Sequence, residues 1–478
     1  MKQTIKKLLP TNRFARSVSI LAGGTAAGQA IVVLASPLLT RLYSPEDFGL
    51  LAVFASMLGI IGVVASLRYQ LAIPLPESDQ EAAHVVVLSL LVVLGITMLT
   101  TIGVIFFGES IAQIANTPAL GGYLWLLPLG LLLMGIYQIF NYWAIRNEAF
   151  TVIARTKLTQ SLSMVAVQIF GYALGPVALL IGRISGQAAG ATSLGALAVR
   201  KRWSTFRQVK LCGVRWAAAR YKRFPIYSSW GGAFNTAGRE LPPLLFAALF
   251  SASAAGIYML AHRVLNMPMT LIGRSIADVF FFHAAEANRN GQLAQLVANI
   301  HEKLAHIAMP PALLLVIAGP ELFALVFGER WQQAGIFVQC MAPWIYMQFI
   351  TSPLSRVNSV LEKQAQGMFF QTILFLTRIG ALFIGAYYQE LLLAVALFGM
   401  VSALCFVGLL VWIIYVTGNT WCEFINPTAK AFSWGVILVT PLIIAQLSSA
   451  TFIIWLMCIV TSLVLITARY INLFKKAW

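Results

Sequence analysis

The chain has 478 residues, 59% hydrophobic and only 10% charged, with a mean hydropathy of +0.81, whereas soluble domains carry roughly one-quarter charged residues. Its apolar material comes in runs of about 18 to 28 residues, which suit helices crossing a hydrocarbon core of roughly 30 Å and not barrel strands of about 10 residues. The formal net charge of +17 does not indicate nucleic acid, because no segment is long and polar enough to form a basic face on a soluble domain.

An all-α polytopic membrane protein of about 14 spans is predicted. The first six spans lie near 17–39, 48–74, 84–107, 122–145, 157–174 and 176–199. The first begins like a secretory signal, with a basic start and an apolar run, but it is read as an uncleaved span because the segment is echoed later in the chain. Six more spans follow near 227–250, 254–282, 303–327, 333–360, 366–387 and 390–416, and a last pair near 430–447 and 450–468. The domains expected are a six-helix bundle over 1–199, a basic linker over 200–226, a second six-helix bundle over 227–416, and an added two-helix segment over 417–478.

Basic residues set the orientation. Lys2, Lys6, Lys7, Arg13, Arg16, the fourth-to-fifth loop (Arg146, Arg155, Lys157), the linker and the C-terminal Arg469, Lys475 and Lys476 fall on one side, which the positive-inside rule makes the cytoplasm. Both termini are therefore expected to be cytoplasmic. The linker holds nine Arg/Lys and no acid, which serves topology and also fits anionic membrane lipids, at about 1 kcal/mol per basic residue near the surface.

The two halves repeat. "PLLTRLYSPEDFGL" at 37–50 aligns with "LLFAALFSASAAGI" at 244–257, pairing Ser44 with Ser251 and Gly49 with Gly256, and "FFGE" at 106–109 finds "VFGE" at 326–329. Six spans per half preserve orientation, so parallel repeats about an axis along the membrane normal are expected, a plan that in transporters places substrate between the halves.

The charges inside the spans carry the functional reading. The eighth span, "AHRVLNMPMTLIGRSIADVFFF", holds His262, Arg263, Arg274 and Asp278, although a charge near a bilayer centre costs at least a few kcal/mol. At 100° per residue Arg263, Arg274 and Asp278 fall within about 60° of one another, one polar stripe facing protein or water. Arg274 and Asp278 are spaced to pair, and Pro268 should bend the helix between the two arginines. Arg68 in "SLRYQLAIPLP" aligns within one residue of Arg274 across the repeat. The seventh span adds Arg239 and Glu240, the eleventh Arg378, and the sixth Arg183 with Gln187 at i, i+4.

Buried arginine–acid pairs in membrane bundles often only fix helix packing. Here six arginines in the spans (68, 183, 239, 263, 274, 378) face two acids (240, 278), so unpaired positive charge is expected to remain for an anionic ligand, and guanidinium suits phosphate. Glu240 and Asp278 are charge partners or the carboxylates for coupling to a proton or Na⁺ gradient. No cofactor or metal is expected: Cys212, Cys340, Cys405, Cys422 and Cys458 lack zinc spacing, and Asp47, Asp79 and Asp278 are too scattered for a DxD site. His262 and His283 are read as structural. Trp125, Tyr142, Trp143, Trp344 and Tyr346 suit sugar stacking or the membrane interface.

"SPEDFGLLAVF", "SLRYQLAIPLPESDQEAA" and "AHRVLNMPMTLIGRSIADVFFFHAAEA" resemble the Wzx-type oligosaccharide flippases of the multidrug/oligosaccharidyl-lipid/polysaccharide (MOP) exporter superfamily. The resemblance implies two six-helix bundles, a cavity alternating between membrane faces, a bacterial inner-membrane location and no covalent chemistry. It implies as cargo an undecaprenyl-pyrophosphate-linked repeat unit for O-antigen, capsule or exopolysaccharide, and as neighbours a polysaccharide polymerase and chain-length regulator. On this reading Arg68, Arg239, Arg263, Arg274 and Arg378 line the cavity, the first four holding pyrophosphate. Members often read "RYE" where this chain has Arg68, Tyr69 and Gln70, so a carboxylate role there does not carry over. The last two spans resemble fourteen-span relatives, including lipid II flippases. An organic-cation exporter needs an acidic cavity, and a membrane polymerase usually needs a large external catalytic loop that is missing here.

Overall fold

A computed structural model describes residues 13–269, 273–448 and 451–477. Among the described residues the chain is helical and has no strand. Among the described residues, nine helices are long and apolar enough to cross a membrane. The chain divides into two compact units, 1–259 and 260–478.

The first unit contains α1 (Arg13–Leu42), α2 (Pro45–Val64), α3 (Asp79–Ile114), α4 (Leu126–Arg146), α5 (Phe150–Phe170), α6 (Pro176–Arg207), α7 (Leu211–Arg220) and α8 (Ser229–Leu249). Helix α2 starts where the sequence places a stop and a cap together. Asp47 N–H donates to Ser44 Oγ (3.2 Å), Ser44 N–H donates to Asp47 Oδ2 (2.9 Å), and Pro45 occupies a first-turn position that needs no N–H. Ser78 caps α3 in the same way, accepting from Glu81 N–H at 3.1 Å. Helix α1 packs on α5, α5 on α6, α6 on α4, α4 on α3, and α2 on α8.

Helix α8, expected to open the second bundle at 227, packs on α2 and belongs to the first unit by its contacts. The linker also differs from a simple loop. Helix α6 runs on to Arg207, and α7 packs on α3 through the buried Val214 and Ala217. Gly213 leaves room for the His84 ring, and Lys210 N–H donates to His84 Nε2 at 3.4 Å. Arg155 and Lys157, read as loop residues, lie inside α5.

Arg146 is a structural hub as well as a topology charge. It pairs with Asp79 (Nε to Oδ1, 3.2 Å) and donates to the carbonyls of Pro76 (2.5 Å) and Glu77 (3.2 Å). Five carbonyl and carboxylate groups of the 73–79 turn cannot all be met by neighbouring backbone, and one guanidinium satisfies several of them at once.

The first unit extends into α9 (Ala252–Pro268), capped by Ser251 Oγ accepting from Ala254 N–H at 3.1 Å. Here the two aligned glycines of the repeat meet. A side chain on Gly49 would strike the backbone of Ala252, and one on Gly256 would strike the backbone of Pro45 and Gly49. Small residues let membrane helices approach this closely.

In the second unit, α9 ends at Pro268 and α10 (Arg274–Arg289) follows; the expected bend at Pro268 borders residues 270–272, which lie outside the described residues. Next come α11 (Leu293–Phe327), α12 (Gln332–Thr351), α13 (Gln364–Tyr387), α14 (Leu391–Thr417), α15 (Cys422–Leu447) and α16 (Phe452–Ala477). Helix α11 carries Pro310, Pro311 and Pro320 and leaves helical geometry at Ala318 (φ −118°, ψ 19°), as proline predicts. Helix α12 packs on α11 and α14, α13 on α14, and the added pair joins through α15 on α11 and α16 on α15. Leu438, Val439, Leu442, Trp455 and Ile459 form a core with Leu314 and Ala318.

Gly49→Val or Gly256→Val should destabilise the fold by about 1–3 kcal/mol or more through overpacking, read as a lower midpoint of thermal unfolding in detergent. Gly95→Val, with nothing within 4 Å of its new Cβ, is the control and should leave the midpoint nearly unchanged.

Candidate functional site

Polar residues collect in the first unit where α2 ends. Leu67 (φ 46°) and Arg68 (φ 64°) are both in the left-handed region, which costs a non-glycine residue of order 1 kcal/mol or more. The short 3₁₀ turn Tyr69–Ala72 follows. This sharp reversal lays the Arg68 guanidinium against Gly232 of α8, where a methyl group would collide with Nε and Nη2. Arg68 is half-buried, and its Nε is sealed from solvent without a hydrogen-bond partner.

The turn is fixed by amides. Ser66 Oγ donates to Gln70 Oε1, Gln70 Nε2 donates to Gln138 Oε1 at 3.3 Å, and Gln138 Nε2 donates to Gly62 O at 3.3 Å. Gln70 is thus a buried neutral residue completing a network between α2 and α4. Tyr69 OH donates to Ala218 O of α7 at 3.4 Å.

About 12 Å further along α8, two turns beyond Gly232, Glu240 lies against α2. Its Cγ and Cδ would be 3.2 Å from a Cβ on Gly59, and the buried Ser56, 1% exposed, acts on its carboxyl group. Arg183 of α6 is its leading cationic influence and Arg239 a weaker one. Arg183 Nε, like that of Arg68, is buried with no hydrogen-bond partner. Arg239 is exposed on the neighbouring face of α8. Arg239 and Glu240 are neighbours in sequence that point to different faces of α8.

In the second unit Arg378 of α13 lies 4.4 Å over the Trp344 ring and 5.1 Å over Phe398, and its Nε donates to Ser402 Oγ at 2.8 Å. His262 stacks on Trp344 at 5.9 Å. This is a cation held by aromatic faces; Trp344, 2% exposed, is occupied by packing and offers no face to a sugar. Trp143 and Tyr346 are buried too, whereas Trp125 is exposed. Arg263 is half-buried and already engaged. The side chains of Arg274 and Asp278 lie outside the described residues.

Sequence reasoning missed Ser56, Gln138 and Tyr137 as members of the polar interior. The signal was present in "YQIFNYW", whose Tyr137, Gln138 and Asn141 fall on one face of an apolar span.

Comparison with known proteins follows the same direction. A family model described as polysaccharide biosynthesis protein matches residues 38–336. The chain is 28% identical over 101 residues to the teichuronic acid biosynthesis protein TuaB of Bacillus subtilis (strain 168), a match covering 21% of this chain and 21% of that protein's length. Among solved structures, the lipid II flippase MurJ superposes with a TM-score of 0.71 at 13% identity, covering 95% of this chain and 99% of MurJ. A multidrug resistance MATE family transporter of the MOP superfamily superposes with a TM-score of 0.66 at 14% identity, covering 82% of this chain and 94% of the other. At such identities these likenesses show the fold alone, one shared with both transporters.

The Arg183–Glu240 interaction is open to a double-mutant cycle. Arg183→Leu and Glu240→Leu should each destabilise the protein, and the double variant should be more stable than the sum of the two losses by about 1 kcal/mol or more. Strict additivity in thermal unfolding would mean the two side chains do not act on each other.

Proposed function

The chain belongs to the polysaccharide biosynthesis protein family, and on that premise we propose that it is a flippase for an undecaprenyl-pyrophosphate-linked oligosaccharide repeat unit. It moves the unit from the cytoplasmic to the periplasmic leaflet of the bacterial inner membrane for surface polysaccharide assembly. The observation that carries this reading is the Arg68 guanidinium, held by a strained turn against Gly232 with Nε unpartnered. A membrane protein keeps a cation in such a place when a ligand supplies the counter-charge, and pyrophosphate is matched to guanidinium. Arg239 and Arg263, with Arg274, are the further cations assigned to the lipid-linked anion, and Arg378 supports the second unit by packing.

Transport proceeds by alternating access and breaks no covalent bond. An organic cation is a poor cargo for a lining rich in arginine. Glu240 is under the electrostatic influence of Arg183 and Arg239, which favours a charge-partner role over Na⁺ binding; Asp278 is the other carboxylate for coupling to a proton or Na⁺ gradient. A polymerase and a chain-length regulator are the partners that would receive the product.

Deletion of the gene should make lipid-linked repeat units accumulate and surface polysaccharide disappear. Complementation with Arg68→Ala or Gly232→Val should restore surface polysaccharide at about one-tenth of the wild-type rate or less, the loss expected for one charge-assisted contact of roughly 1.4 kcal/mol or more. Full restoration by Arg68→Ala at equal protein level would remove this residue from the mechanism.

A further inference from the structure

A second polar group lies in the first unit, beside the Arg68 turn and separate from it. Helices α4 and α6 run parallel and in register. Gly130 faces Ile184, the Tyr137 ring lies against Gly190, and Phe140 against Gly195. Gln187 and Asn141 therefore flank Tyr137 by about one helical turn on either side. The Gln160 amide of α5 also rests on Gly190, and Lys157 Nζ sits 4.9 Å over the Tyr137 ring.

The hydrogen bonding of this group is incomplete. Tyr137 is 8% exposed, and its hydroxyl, Asn141 Oδ1 and Gln187 Oε1 are all buried without a partner. Each such group costs about 1–3 kcal/mol, and an apolar helix face would avoid that cost entirely. Asn141 and Gln187 are nonetheless only half-buried, and rotation of a terminal amide can carry its oxygen to the exposed side. Neutral donors and acceptors dominate, around an aromatic ring, with one cation at the edge.

Gln138, the residue after Tyr137, bonds to Gly62 and Gln70, which brings the Arg68 turn to the same level of the unit. We propose that Tyr137, Asn141 and Gln187 form a subsite for the hydroxyl-bearing sugar next to the pyrophosphate of the lipid-linked cargo. Sugar hydroxyls donate and accept at once, so they complete all three groups. The subsite rests on the flippase reading and deepens it: Arg68 holds the anion common to every such cargo, while these three residues sense the sugar attached to it.

The test uses the full chain in lipid nanodiscs and two probes, undecaprenyl pyrophosphate without sugar and lipid-linked oligosaccharide isolated from cells lacking the gene. Asn141→Leu should weaken binding of the oligosaccharide lipid about tenfold, and Tyr137→Phe, which keeps the ring and removes only the hydroxyl, about threefold or more, in line with lost hydrogen bonds. Both should bind the sugar-free lipid as the wild type does. Unchanged binding of both lipids, or equal weakening of both, would overturn the subsite and leave an occluded-water or packing role, with the flippase reading intact. A wild-type protein that binds neither lipid would overturn the flippase reading and the subsite with it.

Discussion

Every charge and hydrogen-bonding group within the spans must find its partner without bulk water, and the first unit is arranged around that constraint. Its cations are met in three ways. Arg146 is saturated by Asp79 and a run of turn carbonyls. Arg183 acts on Glu240, and Arg68 is left with an unpartnered nitrogen. The first case stabilises the protein, whereas Arg183, like Arg68, keeps a buried Nε without a partner. The Arg68 case costs stability, and it sits on two consecutive left-handed residues, which is the observation the ligand reading draws on.

Glycine sets the geometry that makes this possible. Gly59 admits the Glu240 side chain to the surface of α2, Gly232 admits the Arg68 guanidinium to α8, and Gly190 admits Tyr137 and Gln160 to α6. The Gly49–Gly256 crossing joins the starts of α2 and α9, which the repeat aligns with each other, each preceded by a serine cap. In lipid, where apolar burial drives association weakly, such close backbone approaches and their dispersion contacts supply much of the packing.

Much of the architecture was legible because apolar run length and proline act locally. Long apolar runs gave the all-helical membrane class, and "SPED" gave the start of α2. The presence of arginines within the spans was equally plain. Their roles depended on tertiary contacts that no local pattern encodes. Arg146 reads as a loop charge until its turn folds around it, and Arg378 reads as a ligand for anions until Trp344 and Phe398 close on it. The same holds for α8, whose packing on α2 places it with the first unit, and for the linker, whose α7 docks on α3 through two small apolar residues in an otherwise basic stretch.

The claim on which the rest depends is that this chain alone moves a lipid-linked saccharide across a bilayer. Purified protein reconstituted into liposomes with undecaprenyl-pyrophosphate-linked oligosaccharide from the native cell should expose inner-leaflet cargo to an impermeant sugar-modifying enzyme added outside. The account predicts that modification rises from about half of the cargo toward completion only when the protein is present. Modification that stays at the protein-free level with folded protein, under an imposed proton or Na⁺ gradient as well as without one, would contradict it.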